Sequence, residues 1–339
     1  MEKRFANGLV LGKFMPLHNG HLHLINTAIE QCDVLYIMIC SLDTEPINGS
    51  LRWSWLKMIY NNNNKNVVII HCEDENPQKP EEADSVDSFY NDYWVPSVYN
   101  RIQQLDVVFT SEDYGDEFAK YLNVQHVLVD LDRVTHPVSG TAIRNNPFAN
   151  WEYIPNDVKS FFTKRIAVMG PESTGKSTLV KKLVNHYGVD HIEEYGRTYT
   201  ETIKPALELD AEDFYKIADT HNDMLLDKHE ETLGKLLFAD TEAITTKMFG
   251  EMYLKDYKDE RLDEIIKHQW FDLYLVMDID VPWVNDGTRD FSRDEDRKRH
   301  FNKIKAELDK LGKNYVVISG HYDERFEKSK KEIEKLGYL

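Results

Sequence analysis

Residues 165–184 read RIAVMGPESTGKSTLVKKLV, and this stretch decides the fold of the second half of the chain. Its apolar start predicts a strand, and the segment from 178 onward predicts a helix directly after a glycine-bounded loop. In such a loop the backbone N–H groups and the helix N-terminus face an anion. Lys176 reaches the outer phosphates, and the Ser177 hydroxyl can hold Mg²⁺.

We therefore interpret the loop as a nucleoside triphosphate site. A glycine-rich turn without a ligand is the alternative, but the strand and the helix on its two sides argue against it. Lys176 is the expected catalytic residue. The residues that we expect to bind ATP in this loop are Gly170, Glu172, Ser173, Thr174, Gly175, Ser177 and Thr178.

Length and composition favour two domains in a globular protein. The chain has 339 residues, and we expect a first domain over 1–150, a linker over 151–163 and a second domain over 164–339. A formal net charge of −18 argues against a broad nucleic-acid-binding surface. There is no membrane-length apolar run and no signal-peptide core at the start, so we expect no membrane insertion and a cytoplasmic location. The cysteines, expected to be buried free thiols, are Cys32, Cys40 and Cys72.

A second phosphate-binding pattern lies near the start of the chain. Residues 12–21 read GKFMPLHNGH, between a predicted strand at Gly8–Phe14 and a predicted helix at Gly20–Ile29. His18 and His21 at a helix N-terminus can both donate hydrogen bonds to a phosphate oxygen, whether neutral or protonated. A zinc site is disfavoured because no third ligand of suitable spacing is nearby. Structural histidines are the remaining alternative.

This block resembles the signature of the nucleotidylyltransferase superfamily, whose HxGH element holds the ATP phosphates. A second family signature, Ser-x-Thr-x-x-Arg, is matched at 139–144, where an ordinary helix cap at Ser139 is the alternative. The resemblance implies catalytic roles for His18, His21, Lys13 and Arg144. It also implies that ATP is bound by Gly12, Phe14, Ser139 and Thr141.

Between the two signatures, apolar runs alternate with helical segments as in a Rossmann-like domain with a parallel sheet. The predicted strands are Val34–Cys40, Val67–Cys72, Val107–Thr110 and His126–Val129, with helices near 51–60, 86–104 and 115–122. The acidic loop 73–83 reads as a surface loop or a mobile lid. Arg52 and Trp94 are our candidates for binding the second substrate. An aromatic ring such as that of Trp94 can stack on a pyridinium or adenine ring. The alternative is that aromatic residues in helices usually belong to the core.

The second half continues as a P-loop domain. The predicted strand Lys235–Asp240 ends in Asp240, which suits a carboxylate that holds Mg²⁺ together with Ser177, unless it is a strand-end Asp with no metal role. Further strands are predicted at Val189–Glu193, Leu273–Met277 and Val316–Ser319, and a terminal helix at 323–336. An Arg-rich segment is either a lid over the ATP phosphates or a solvated mixed-charge helix. Its candidate ATP-binding residues are Arg289, Arg293 and Arg297.

This half resembles the ribosylnicotinamide kinase domain of the bifunctional NadR family through residues 170–177, 194–197, 239–246 and 282–291. Over residues 8–320 the resemblance implies two ATP-dependent steps of NAD synthesis: phosphorylation of nicotinamide riboside to NMN, and adenylylation of NMN to NAD and pyrophosphate. Some members carry an N-terminal helix-turn-helix domain, for which we expect no room here.

The resemblance assigns the remaining roles less sharply. Glu194 and Asp240 both remain candidates for accepting the proton of the riboside hydroxyl. The expected riboside-binding residues are Tyr195, Arg197 and Trp283. Two other functions stay open: a fusion enzyme with a different acceptor, and a sensor that binds ATP and NAD without turnover. A homo-oligomer is left open as well.

Overall fold

The computed structural model describes residues 3–60, 66–282 and 294–337. The chain divides into two compact units, Met1–Val158 and Lys159–Leu339. In the described residues each unit contains one five-stranded sheet with helices, and every pair of neighbouring strands is parallel. The expected α/β class with two parallel sheets is confirmed.

The sheet of the first unit has the strand order β3-β2-β1-β4-β5. Its strands are β1 (Phe5–Gly12), β2 (Cys32–Cys40), β3 (Val67–Cys72), β4 (Val107–Thr110) and β5 (Gln125–Leu128). The chain moves outward from β1 to β3 on one side and then crosses to β4 on the other side. Ligands of such sheets bind beyond the carboxyl ends of the strands at this switch point. The loop that ends in His18 follows β1 there, and His21 lies in the first turn of the next helix.

The helices of the first unit include one that differs from expectation. They are α1 (Asn19–Gln31), α2 (Gly49–Tyr60), α3 (Val86–Ser88), α4 (Val95–Tyr99), α5 (Gly115–Leu122), α6 (Gly140–Asn145) and α7 (Asn156–Phe162), which runs across the unit boundary. The single helix predicted over 86–104 is replaced by α3, a wider π-helical turn at Phe89–Trp94, and α4, which ends at Tyr99.

The sheet of the second unit has the order β10-β9-β6-β8-β7. Its strands are β6 (Lys164–Met169), β7 (Asp190–Ile192), β8 (Leu236–Asp240), β9 (Leu273–Met277) and β10 (Tyr315–Ile318). The central strand β6 is fully buried from Ile166 to Met169, as expected of a strand covered on both faces. Val168 pairs in register with Asp240 on β8, so the predicted Mg²⁺ carboxylate lies one strand away from the start of the P-loop.

The second unit holds several helices that the sequence analysis did not identify, among them α10 (Ala211–Glu231) and α12 (Glu260–His268). The others are α8 (Lys176–Tyr187), α9 (Tyr195–Thr202), α11 (Ala243–Tyr253), α13 (Asp294–Lys310) and α14 (Tyr322–Glu334). Asp210 caps α10 by accepting hydrogen bonds from two backbone N–H groups. Among the described residues, no helix combines the length and the apolar character that crossing a membrane requires.

Candidate functional site

The first unit contains a cavity of about 390 Å³ beyond the carboxyl ends of β1 and β4. Its walls come from four segments: the loop after β1, the first turn of α1, the loop after β4, and the stretch between β5 and the end of α6. The predicted site residues that line it are Lys13, Phe14, His18, His21, Ser139, Thr141 and Arg144. Tertiary structure therefore brings both signatures of the first half to one cavity.

His18 and His21 form a compact pair at the start of α1. The His18 backbone N–H donates to Nδ1 of His21 over 3.3 Å, and the Nδ1 atom of His18 is buried without a hydrogen-bond partner in the described part of the chain. A Cβ atom added at Gly20 would lie 3.1 Å from the His18 ring, so the glycine between the histidines leaves room for this ring. An unpartnered buried nitrogen beside a cavity is a group that a ligand can satisfy.

The surroundings of the two rings favour neutral imidazoles. Burial, the positive charge of Arg133 and the nearby His136 together lower the pKa of His18 to about 4, and burial is the largest of the three causes. Burial also holds the pKa of His21 well below its usual range, and His18 and Arg133 add to that effect. At neutral pH each ring therefore offers one N–H donor to a phosphate oxygen.

The second signature, residues 139–144, is hydrogen-bonded to the loop between β1 and α1, which we call the histidine loop. The Nη1 atom of Arg144 donates to the Met15 carbonyl oxygen, and its Nη2 atom donates to Oγ1 of Thr141 over 3.0 Å. Ser139 caps α6 by accepting a hydrogen bond of 3.1 Å from the Ala142 backbone N–H. A Cβ atom at Gly140 would lie 2.6 Å from the same Met15 carbonyl oxygen, so only glycine permits this close approach.

Beneath the loop lies an ion-pair network centred on Glu45. The Nζ atom of Lys13 lies 2.8 Å from Oε1 of Glu45, and the other carboxylate oxygen pairs with Arg52. Arg52 is 0% exposed and donates a bond of 2.5 Å to the Lys13 carbonyl oxygen. The structure thus places Arg52 under the phosphate-binding loop, outside the cavity lining, while the side chain of Lys13 remains 43% exposed.

The other candidate for the second substrate, Trp94, packs partly buried against the core of the first unit. Its Nε1 atom donates to the Pro77 carbonyl oxygen over 3.0 Å. Sequence reasoning also missed three basic residues that line the cavity, namely His23, Arg133 and His136. A polar loop that follows β5 at the binding edge of the sheet was the signal that could have indicated Arg133 and His136.

The P-loop of the second unit has a backbone that requires glycine at two positions. Gly170 and Gly175 have φ values of 147° and 82°, and Ser173 also has a positive φ of 58°. The Nζ atom of Lys176 folds back to the carbonyl oxygens of Gly170 and Pro171, at 3.0 and 3.1 Å. The lysine is thus held inside the loop at the start of α8.

A cavity of about 340 Å³ opens over this loop. Residues 172–178 line it together with Glu194 and Arg197, whose side chains lie 3.3 Å apart. The segment after β8 adds Thr241, Thr245 and Thr246. The cavity lining therefore combines the predicted ATP-binding residues 172–178 with Arg197, one of the predicted riboside contacts, and Glu194, one of the two candidates for accepting the proton.

Asp240 and Ser177 suit a magnesium ion. Asp240 is buried, its Oδ1 atom has no hydrogen-bond partner in the described residues, and Ser177 bonds to its carboxyl group. Burial raises the pKa of Asp240, and the charge of Glu194 raises it further, against the opposing effect of Lys176. Within the described ranges no group of three or more His, Cys, Asp or Glu side chains could hold a metal. A cation at Asp240 would thus complete its shell with phosphate and water oxygens.

Part of the cavity lining is apolar, and its residues were missed because they come from α10, α11 and the turn before α10. They are Ala206, Leu209, Phe214, Ile217, Phe249 and Tyr253. Tyr195 instead packs partly buried against the core, with its ring centroid 6.1 Å from that of Tyr199. A lining with both a glycine-bounded loop and apolar residues suits a ligand that has an anionic part and an apolar part.

Only one of the candidate lid arginines falls in the described part of the chain. Arg297 is buried in the first turn of α13, where its Nη2 atom donates to the Val281 carbonyl oxygen over 3.1 Å. Its Nη1 atom lies 3.5 Å from Asp294. The predictions for Trp283, Arg289 and Arg293 lie outside the described residues.

Comparisons with known proteins cover both units. A family model described as an AAA domain matches residues 165–325. The trifunctional NAD biosynthesis/regulator protein NadR of Escherichia coli (strain K12) is 32% identical over 94% of this chain and 80% of that protein. A nicotinamide-nucleotide adenylyltransferase of Methanocorpusculum labreanum is 28% identical over 45% of this chain and 88% of its own length.

Among solved structures, a NadR protein in complex with NAD and AMP-PNP matches with a TM-score of 0.79 at 22% identity, over 100% of this chain and 98% of that chain. A NadR protein in complex with NR matches with a TM-score of 0.80 at the same identity and coverage. At this identity the two structures support the fold alone. The identity and coverage of the Escherichia coli relative, together with both signatures, show that this chain belongs to the NadR family of NAD-biosynthesis enzymes.

Proposed function

We propose that the second unit phosphorylates nicotinamide riboside with ATP, and that the first unit joins the resulting NMN to the adenylyl group of a second ATP. The products are NAD and pyrophosphate. The observation that carries the proposal is the presence, in a NadR-family chain, of one cavity in each unit, each lined by its own phosphate-binding signature. Relatives named for NAD biosynthesis and for nicotinamide-nucleotide adenylyl transfer support this choice of substrates.

In the second unit the backbone N–H groups of residues 172–178 hold the ATP phosphates, and Lys176 stabilises the charge of the group in transfer. Mg²⁺, when bound at Ser177 and Asp240, neutralises the phosphate oxygens. We assign the acceptance of the riboside hydroxyl proton to Glu194, because its side chain lines the cavity while Asp240 is bonded to Ser177. Arg197 pairs with Glu194 over 3.3 Å and so fixes the position of its carboxylate in the cavity lining.

The nicotinamide ring packs against the apolar residues of the same cavity lining. Phe249 and Tyr253 offer aromatic faces there, and a cationic pyridinium ring is attracted to such faces. Tyr195 and Trp283 remain proposed contacts of the ring. The 5′-hydroxyl of the riboside then points toward the P-loop, where the γ-phosphoryl group of ATP is held.

In the first unit the phosphate of NMN attacks the α-phosphorus of ATP and pyrophosphate leaves. The nucleophile is already ionised, so the reaction needs positioning and charge stabilisation but no general base. His18, His21, Lys13 and Arg144 supply these, since all four line the cavity. Arg52 supports them from below by holding the backbone of Lys13. Trp94 remains a proposed contact of the second substrate.

Incubating the purified protein with ATP, Mg²⁺ and nicotinamide riboside tests the proposal. Chromatography should show NMN first and NAD later, with pyrophosphate formed in step with NAD. A parallel panel of other nucleosides and of phosphorylated acceptors tests the alternative substrates. A preferred acceptor other than riboside or NMN would replace the substrate assignment, and tight ATP binding without any turnover would favour the sensor.

A further inference from the structure

The guanidinium group of Arg325 is buried and connects the P-loop to the segments that follow β9 and β10. Arg325 lies in the first turns of α14, about 150 residues after the P-loop in sequence, and is 1% exposed. Arginine is rarely buried without partners, because its charge and its five N–H donors must all be compensated. Its partners therefore indicate what the residue holds in place.

Those partners come from three separate segments. The Nη1 atom donates to the Thr174 carbonyl oxygen in the P-loop over 2.6 Å. The Nε atom donates to the Gly320 carbonyl oxygen after β10 over 2.7 Å, and the Nη2 atom to the Asp278 carbonyl oxygen after β9 over 3.0 Å. Nη2 also pairs with the carboxylate of Asp280, which in turn accepts a bond of 2.6 Å from the Gly320 backbone N–H.

The bond to Thr174 has a consequence for the neighbouring residue. In a trans peptide unit the carbonyl oxygen of one residue and the N–H group of the next point in opposite directions. Because Arg325 holds the Thr174 carbonyl on its own side, the Gly175 N–H must point to the other side of the loop. Gly175 lines the cavity, so this N–H is one of the donors that face a bound anion.

Without that bond, the peptide between Thr174 and Gly175 would be free to rotate, because Gly175 has a φ of 82° and glycine also tolerates other backbone conformations. A lysine in place of Arg325 would keep the positive charge. It would lose the planar fork that reaches three carbonyl oxygens at once.

We propose that Arg325 is a positioning residue of the kinase site, which fixes the orientation of the Gly175 N–H and so pre-organises the P-loop for the phosphates of ATP. It touches no substrate and acts through the backbone of the loop. The inference deepens the proposed kinase function and rests on it for the choice of nucleotide, but not for the identity of the acceptor.

The test compares Arg325→Lys with Lys328→Met, a matched control on the same helix. Lys328 is exposed and donates to the Ser319 carbonyl oxygen over 2.7 Å, next to Gly320 but away from the P-loop. Riboside phosphorylation should show a KM for ATP about tenfold higher in Arg325→Lys, from the loss of hydrogen bonds to a charged group, with the KM for riboside changed less than about twofold. Lys328→Met should keep the wild-type KM for ATP.

A second measurement distinguishes a positioning role of Arg325 from an effect of this residue on protein stability. It also tests that role independently of which acceptor the kinase site uses. Calorimetric titration with a β,γ-imido analogue of ATP measures nucleotide binding by the whole protein. The same titration of the Lys176→Ala variant measures the part of this binding that belongs to the first unit and serves as the baseline. Arg325→Lys should lose about tenfold in affinity above that baseline, and Asp280→Asn about threefold, since Asp280 only orients the guanidinium. If Arg325→Lys loses affinity for the analogue while the wild type phosphorylates no riboside, the positioning role of Arg325 is retained and the assignment of riboside as the substrate is rejected.

Wild-type affinity for the analogue in a folded Arg325→Lys variant would overturn the inference. So would an equal loss of affinity in Lys328→Met, or a lower melting temperature of Arg325→Lys with no change in affinity. If Arg325→Lys does not fold, Asp280→Asn decides by the same criterion, and unchanged affinity in that variant would reject the role.

Discussion

The imidazole rings of His18 and His21 are stacked, with their centroids 3.6 Å apart and their planes inclined by 25°. Two protonated rings at this separation would repel each other strongly in a buried site. The pair is consequently built to act as two neutral hydrogen-bond donors in the free protein. The permanent positive charge of the cavity comes from Lys13, Arg133 and Arg144.

The lowered pKa of His18 predicts a loss of stability in acid. A histidine in the unfolded chain has a pKa near 6.5, whereas His18 in the folded chain has a pKa of about 4, so the unfolded state binds the proton more tightly. The stability that depends on a neutral His18 is fully present above about pH 6.5 and is lost as the pH falls toward 4. Between pH 7.5 and pH 5 it amounts to about 2 kcal/mol.

Denaturant unfolding of the first unit at these two pH values checks this expectation. The His18→Asn variant should lose about 2 kcal/mol less stability than the wild type on acidification, because asparagine does not titrate. An equal loss in both proteins would contradict the buried, neutral state of His18.

Single substitutions should separate the two activities. His21→Ala removes a donor from the first cavity and should lower NAD formation from NMN by about a hundredfold or more, while riboside phosphorylation continues. Lys176→Ala should have the opposite effect. Both reactions are measured on the same folded samples, and a variant that loses both activities would disprove two independent sites.

Replacement of Asp240 should raise the Mg²⁺ concentration that gives half-maximal rate in riboside phosphorylation, but not in NAD formation from NMN. Asp240→Asn keeps the shape of the side chain but removes the charge beside Ser177. We expect riboside phosphorylation to fall by about a hundredfold and to need more Mg²⁺ for half-maximal rate. Titration of Mg²⁺ in both reactions measures this effect. Asp227→Asn, at an exposed position on α10, is the control, and an unchanged Mg²⁺ dependence in Asp240→Asn would refute the metal role.

The close approach of α6 to the histidine loop predicts that Gly140 tolerates no side chain. In Gly140→Ala the new methyl group would meet the Met15 carbonyl oxygen at 2.6 Å, so the helix or the loop must move. We expect a loss of about 1–3 kcal/mol in stability of the first unit and slower NAD formation from NMN. Asn145→Ala at the exposed end of the same helix should show neither effect, and wild-type behaviour of Gly140→Ala would argue against the docking of α6 on this loop.

Some elements could not be predicted from local sequence. Helix α10 was missed because its buried face includes polar residues, His221 and Asp213, which interrupt the apolar pattern that marks a helix. Asp213 is buried because Tyr199 and Lys204 supply hydrogen bonds to its carboxylate, and these partners lie outside the helix. The break at Phe89–Trp94 likewise follows from the packing of these aromatic residues, which no short-range pattern reports.

The sequence by itself determined the parts of this protein that depend on neighbours in the chain. A glycine-bounded loop between a strand and a helix creates its own anion-binding groups, so the phosphate-binding role that we propose for residues 170–177 and 12–21 follows from their local sequence alone. Only the tertiary structure decided which distant side chains complete each cavity. It placed Arg52 beneath a loop rather than in the cavity, and it brought Arg133, Phe249 and Arg325 to their positions. The direction of such side chains is set by contacts between segments far apart in the chain, and those contacts leave no periodic mark in the sequence.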